Sequence, residues 1–239
     1  MVMANLDLGT AHAEPNHSKI FGTADTAVCF EQLFADDVSL QRTLSALQRG
    51  PVRYYRDNIV VFEDDLEDYL LFVVSGVVRS CKTCKNGARN IVAFYLPGDL
   101  FGWTAARRSL SIEAATDVEV LFLKRDSLLS LASRDGRVAS YLLSATTNEL
   151  VRCQEHIMLM SKTAKCRVAT FLRELWVRLG RAKYLEVPFS YQDIADYLGL
   201  TGETLSRSIT ELERSGLISR VAGRKLLLRN HFELRRLMR

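Results

Sequence analysis

Tyr191–Ser215 reads YQDIADYLGLTGETLSRSITELERS, and its spacing decides the architecture of the C-terminal third of the chain. Ile194, Ala195, Tyr197 and Leu198 predict a short first helix. Gly199 follows where the chain must turn sharply, and glycine takes positive φ without steric cost. Ala195, four residues earlier, is small enough for a second helix to come close. Leu200 and Leu205 continue the little core, and Thr201 has the hydroxyl to cap the second helix. A small residue, a turn glycine and flanking hydrophobics at these distances form a helix-turn-helix pattern.

On the second helix, Glu203, Ser206 and Arg207 stand at i, i+3 and i+4 and so share one face. Leu205, Ile209 and Leu212 take the other. Arginine matches guanine O6 and N7 with two parallel donors, glutamate accepts from cytosine N4, and serine adapts to either. Thr201 and Thr204 sit beside them as further DNA-contact candidates. Glu203 and Arg207 also fit a simple surface ion pair one turn apart, but the preceding turn and the charge of the segment favour the groove-reading role. Leu217–Arg220, a turn at Ala222-Gly223, and Leu226–Arg229 predict a β-hairpin after the second helix, in the position of a wing. Arg220, Arg224 and Lys225 at its tip suit phosphate contact, which raises affinity without encoding sequence.

Charge supports a polyanion partner for this end of the chain. Residues 1–160 hold 16 Lys and Arg against 20 Asp and Glu, whereas residues 161–239 hold 16 against 8. The 48% hydrophobic content excludes a disordered chain and leaves enough apolar material for two cores. The N-terminus lacks a basic stretch followed by an apolar run, and no segment approaches the roughly 20 apolar residues of a membrane span. No membrane association is expected. Five cysteines without an export signal point to reduced thiols in the cytoplasm.

Upstream, four parts are expected. Residues 1–25 are polar and read as a flexible segment. Residues 26–135 open with one or two short helices in 30–50, ending at Gly50-Pro51. They continue as short Val-, Ile-, Phe- and Tyr-rich runs at Ile59–Phe62, Tyr69–Val74, Gly76–Cys81, Ile91–Tyr95 and Val118–Leu123. Asn86-Gly87 fits a tight hairpin turn, and so many short strands predict a small all-β roll or barrel. The helical period then takes over, with a short helix near Asp126–Ala132. Residues 136–160 form a long helix of about 36 Å. It is either wrapped by the roll or pairs with its copy in a second subunit. Residues 161–239 complete the chain, opening with an amphipathic helix (Val168, Phe171, Leu172, Leu175, Trp176, Leu179) stopped by Gly180.

Taken together, Ser75-Gly76 before a hairpin, FYLPGDLFG at Phe94–Gly102, LMSKTAKCRVATFL at Leu159–Leu172 and DIADYLGLTGETLSR resemble the Crp/Fnr superfamily of bacterial regulators, most closely its Fnr/FixK-like branch. The resemblance covers roughly residues 50–230. It implies an α+β chain: an N-terminal β-roll of cyclic-nucleotide-binding type, a long dimerisation helix and a C-terminal winged helix-turn-helix. It implies a homodimer on double-stranded DNA, with Glu203, Ser206 and Arg207 reading a TTGA half-site in a palindrome such as TTGA-N6-TCAA. Gly202 replaces an arginine found in relatives that bind cyclic AMP, and Ser208 stands where an apolar residue is usual. Aligned with the family, the dimer seam includes Ala145, Asn148, Arg152, Glu155 and Leu159, a polar set that would register a coiled coil more than stabilise it.

No cofactor is expected. The cyclic-nucleotide pocket needs an acid after Gly102, where Trp103 stands, and Arg108-Ser109 matches its Arg-Ser pair only superficially. An iron–sulfur cluster needs an N-terminal cysteine group and a central cysteine; Cys29 is alone and Leu121 takes the central place. Cys81-Lys82-Thr83-Cys84 has no second pair to complete a metal site. Cys166, between Lys165 and Arg167 at the entry to the DNA-binding part, is a redox candidate, since nearby cations favour a thiolate; an ordinary partly buried cysteine is the alternative.

The function expected is a DNA-binding transcription regulator, not an enzyme. It would act as an activator touching RNA polymerase through loops such as Lys85–Arg89, with control of low-oxygen, respiratory or nitrogen metabolism as the family link. The competing class is a ligand-binding signalling module whose C-terminal domain docks protein.

Overall fold

Two antiparallel four-stranded sheets form the N-terminal half in the computed structural model, which describes residues 29–34, 36–61, 68–83, 89–103 and 110–237. The segment 1–25, the Asn86-Gly87 turn, Cys84 and the Arg108-Ser109 pair lie outside the described residues. A 3-10 helix at Glu31–Phe34 and α1 (Val38–Leu47) come first, with Asp37 capping α1 by accepting from the Leu40 amide. One sheet has the order β1 (Gln48–Tyr54), β8 (Val118–Lys124), β3 (Tyr69–Ser75), β6 (Leu100–Phe101). The other runs β2 (Ile59–Val61), β7 (Ser111–Ala114), β4 (Val78–Thr83), β5 (Arg89–Tyr95).

β3 explains the layering. Its residues Leu70–Val74 are all buried, and successive side chains point to opposite faces. Leu71 and Val73 enter the core between the sheets with Tyr95, Phe101 and Val120. Leu70, Phe72 and Val74 pack outward against Phe30, Leu44, Leu128, Val138 and Leu142, under the helices. The turn into β4 passes Gly76 at φ +75°, where a Cβ would lie 2.0 Å from the Asp117 carbonyl oxygen; only glycine fits there.

α2 (Arg125–Ala132) leads into α3 (Gly136–Met160), 25 residues capped by Asp135. α4 (Ala164–Arg178) opens the C-terminal domain, followed by β9 (Leu185–Glu186), α5 (Tyr191–Leu198), α6 (Gly202–Arg214), β10 (Ile218–Ala222), β11 (Lys225–Leu228) and α7 (His231–Leu237). The wing is therefore a three-stranded sheet, β10-β11-β9. No helix among the described residues is long and apolar enough to cross a membrane.

Four strands (β1, β6, β7 and β9) and α7 go beyond the elements expected from sequence. β1 begins where α1 was expected to continue to Gly50. Pro51 lacks an amide proton and reads as a breaker, but β1 lies at a sheet edge and shifts register between Arg49 and Val52 in pairing with β8, which accommodates it.

Candidate nucleic-acid interface

Ser190 and Asp193 form a reciprocal capping box at the start of α5, each side chain accepting from the other's backbone amide. Gly199 ends α5 in the left-handed conformation (φ 60°, ψ 41°). Thr201 caps α6, its hydroxyl accepting from the Thr204 amide and meeting the Thr204 hydroxyl at 2.9 Å. Ala195, Leu198, Leu205, Ile209 and Leu212 are buried between the helices and α4. Ser208 is buried too, and its hydroxyl donates to the Thr204 carbonyl at 2.8 Å, so a polar residue is accommodated on the inner face.

That packing leaves Glu203, Ser206 and Arg207 together on the outer face of α6, all exposed. Arg207 donates to Glu203 across one turn, with the two side chains 78% and 72% accessible. An ion pair so open to water is worth at most about 1 kcal/mol, so base edges can compete for both partners. On the wing, Arg220 lies against Thr210 and Glu213. Arg224 turns back to donate to the Phe189 carbonyl at 2.8 Å, and Lys225 pairs with Glu186 at 3.3 Å. Both are exposed, but neither points freely from the tip as the sequence implied.

Several residues on the face of α3 expected at the dimer seam have partners within the chain. Leu159 is buried in the C-terminal core, Ala145 packs against the helix-side core, and Arg152 donates to Asp99 and Glu149 of its own chain. Asn148 and Glu155 remain exposed on that side. The opposite side carries Leu143, Leu150 and Ile157, seven residues apart, with Val151 and Met158 beside them, all exposed.

Around that inner face a polar network joins three elements. Asp99, in the turn after Leu96, accepts from Arg152 of α3 and from Arg178 of α4; Glu149 accepts from the Tyr95 hydroxyl. Trp103 packs as an apolar group against the helix-side core, its indole nitrogen buried and without a partner among the described residues. The carboxylates of this network, Asp99 and Glu149, are taken up by Arg152, Arg178 and the Tyr95 hydroxyl, and none of the described residues is a free carboxylate beside Trp103 for a ribose. Among those residues no group of three or more His, Cys, Asp or Glu is placed to hold a metal ion. Burial pushes the Cys81 thiol up to about 12, which makes it inert. Cys166 is half-buried, and its Sγ lies 3.1 Å from the Leu237 carbonyl oxygen under α7.

Two features escaped the sequence reading. Glu174 of α4 has its carboxyl pushed up to about 7, chiefly by burial and then by the charge of Glu155 on α3, against the pull of Arg178, Arg173 and Lys162. A carboxyl raised in the folded state keeps its proton after the unfolded chain has lost it. Stability therefore falls as pH rises from about 4.5 to about 7. Glu174→Gln removes that slope and is expected to gain about 1–2 kcal/mol over wild type at pH 8 and little at pH 5. Urea unfolding of both proteins across that range checks it; parallel pH profiles would remove Glu174 from the account. The second feature is Arg167, which donates to the carbonyls of Met160, Lys162 and Leu198 at once.

A β-roll, a long helix and an exposed reading helix braced by a wing define a two-domain DNA-binding regulator. Comparisons agree at each level. The cyclic nucleotide-binding domain profile matches residues 51–135, and the Crp-like helix-turn-helix domain profile matches residues 166–237. The nitrogen fixation regulation protein FixK of Azorhizobium caulinodans is 40% identical over 210 residues, covering 85% of each chain. The transcriptional activatory protein AadR of Rhodopseudomonas palustris is 33% identical, covering 80% of this chain and 81% of its own. The structure of FixK2 from Bradyrhizobium japonicum superposes with a TM-score of 0.72 at 40% identity, over 78% of this chain and 95% of that one. The chain belongs to the Crp/Fnr family of DNA-binding transcription regulators, which are not enzymes.

Proposed function

We propose that the protein binds a palindromic TTGA-N6-TCAA-like site as a homodimer and activates transcription there together with RNA polymerase, in control of low-oxygen, respiratory or nitrogen metabolism. Glu203, Ser206 and Arg207 on the open face of α6 carry the reading: they are the residue types that read base edges, held by a cap and a buried inner face, and the ion pair between Glu203 and Arg207 stands open to water. Arg220, Arg224 and Lys225 supply phosphate contacts. The relatives' names, a nitrogen fixation regulator and a transcriptional activator, support the physiological direction. The cytoplasm is where such a protein would act.

The stripe of Leu143, Leu150 and Ile157 supports the dimer, because a heptad-spaced apolar row suits pairing with a copy of itself. Leu150→Glu with Ile157→Glu would bury four like charges at a two-fold seam. The variant is expected to sediment as a monomer and to lose at least about a hundredfold in operator affinity, with its thermal stability little changed because both sites are exposed. A variant that stays dimeric would move the interface elsewhere.

Binding is tested by gel shift on the palindrome against a duplex with both half-sites scrambled, followed by transcription in vitro from a promoter carrying the site. Equal affinity for the two duplexes would favour a C-terminal domain that docks protein.

A further inference from the structure

The first helix of the reading unit is held at both ends by arginines from outside it. At the N-terminal end, Asp193 is 1% exposed, and both of its carboxylate oxygens accept from Arg79 of β4, at 3.1 and 3.2 Å. Arg89 of β5 donates to the same carboxylate and reaches on to Asp196, one turn later, at 3.2 and 3.3 Å. Arg79 is itself only 4% exposed and is fixed from behind by Glu113 of β7 and by Asp57. At the C-terminal end, Leu198 accepts from Arg167 at 2.9 Å, and the same guanidinium binds the carbonyls of Met160, which ends α3, and Lys162 in the hinge. Phe94 of β5 also stacks on Phe189, just before α5, at 4.1 Å. α5 thus ties the β-roll to the end of the long helix. α6 is joined rigidly to α5 through the Gly199 turn and the buried Ala195, Leu198 and Leu205.

We infer that Arg79, Arg89 and Arg167 are positioning residues for DNA recognition. By fixing the angle of α5 against the roll and the long helix, they set how far apart the two copies of α6 stand, and hence which half-site spacing the dimer accepts. The geometry argues for this because the attachments sit at opposite ends of one short helix: releasing either lets it pivot about the other, whereas α6 keeps its own cap and core. This inference rests on the dimeric reading proposed above.

The test uses the full-length protein with Arg89→Gln, Arg167→Gln and Arg167→Lys, on palindromes with spacers of five, six and seven base pairs and on a duplex carrying one half-site. Arg89 is chosen over Arg79 because, at 30% accessibility against 4%, its loss should cost the fold less. Wild type is expected to favour the six-base-pair spacer. Arg89→Gln and Arg167→Gln should lose about tenfold or more on that duplex while changing by less than about threefold on the other spacers and on the single half-site, so that spacing preference flattens. Arg167→Lys, which keeps a donor, should recover part of it. Variants that weaken all four duplexes in parallel, or that keep the wild-type preference, overturn the positioning role. A wild type that shows no spacing preference overturns the dimeric reading and this inference with it.

Discussion

Arg207→Ala is expected to weaken binding to the TTGA-N6-TCAA operator by about 2–6 kcal/mol, because each of two half-sites loses about 1–3 kcal/mol and distant sites add. The loss should be selective. A bidentate arginine distinguishes guanine from other bases, so the variant's preference at that base pair should flatten while its affinity for random DNA falls much less. Arg207→Lys separates the two components: it keeps the positive charge near the backbone but gives up the planar fork, so it should behave like alanine in specificity and like wild type in salt dependence. The existing pair with Glu203 does not protect the site, since both side chains stand largely in water and either can turn to the groove at small cost. Fluorescence anisotropy on the operator and its single-base variants, at one fixed salt concentration, gives the comparison. An unchanged base preference in Arg207→Ala would remove α6 from the major groove.

What could be read from sequence follows from where the determining interactions lie. The helix-turn-helix was legible because its signals are local: Thr201 caps its own helix, Gly199 turns its own chain, and Leu205, Ile209 and Leu212 repeat at the helical period. β3 was legible because a strand buried on both faces is a continuous apolar run. β1 and β7 were not, since QRGPVRY and SIEA have little apolar content and are strands only because β8 and β4 offer them partners. The partners within the chain of the expected seam residues on α3 were hidden for the same reason. Leu159 and Ala145 look like ordinary seam residues until the C-terminal core and the roll close over them, and Arg152 looks free until Asp99 arrives from 53 residues away. The clamp on α5 was invisible because Asp193 lies 114 residues from Arg79 and 104 from Arg89, and no local pattern announces such a pair.

Asp193→Ala should be the most damaging single substitution outside the apolar cores, costing about 3–5 kcal/mol. Arg79 is buried, and burial opposes its charge; the carboxylates of Asp193, Glu113 and Asp57 more than offset this and hold the guanidinium firmly charged. Removing Asp193 leaves that charge inside the protein with only its partners on the roll, and Arg89 loses its shortest contact. The helix keeps its Ser190 cap but loses the reciprocal half of the capping box, the bond from the Ser190 amide to the Asp193 carboxylate, worth about 1 kcal/mol or less. Asp193→Asn distinguishes these contributions, since the amide oxygen can still accept from Ser190 but carries no charge. If charge dominates, Asn should cost nearly as much as Ala in urea unfolding; if that bond dominates, Asn should recover most of the loss. The pair as a whole need not stabilise the fold, because two buried ions lose hydration that their attraction only partly returns. Arg79→Met combined with Asp193→Leu should therefore cost less than Asp193→Ala alone. That order of stabilities would show that the network acts by penalising separation of α5 from the roll, and a cost below about 1 kcal/mol for Asp193→Ala would show that water already reaches Arg79.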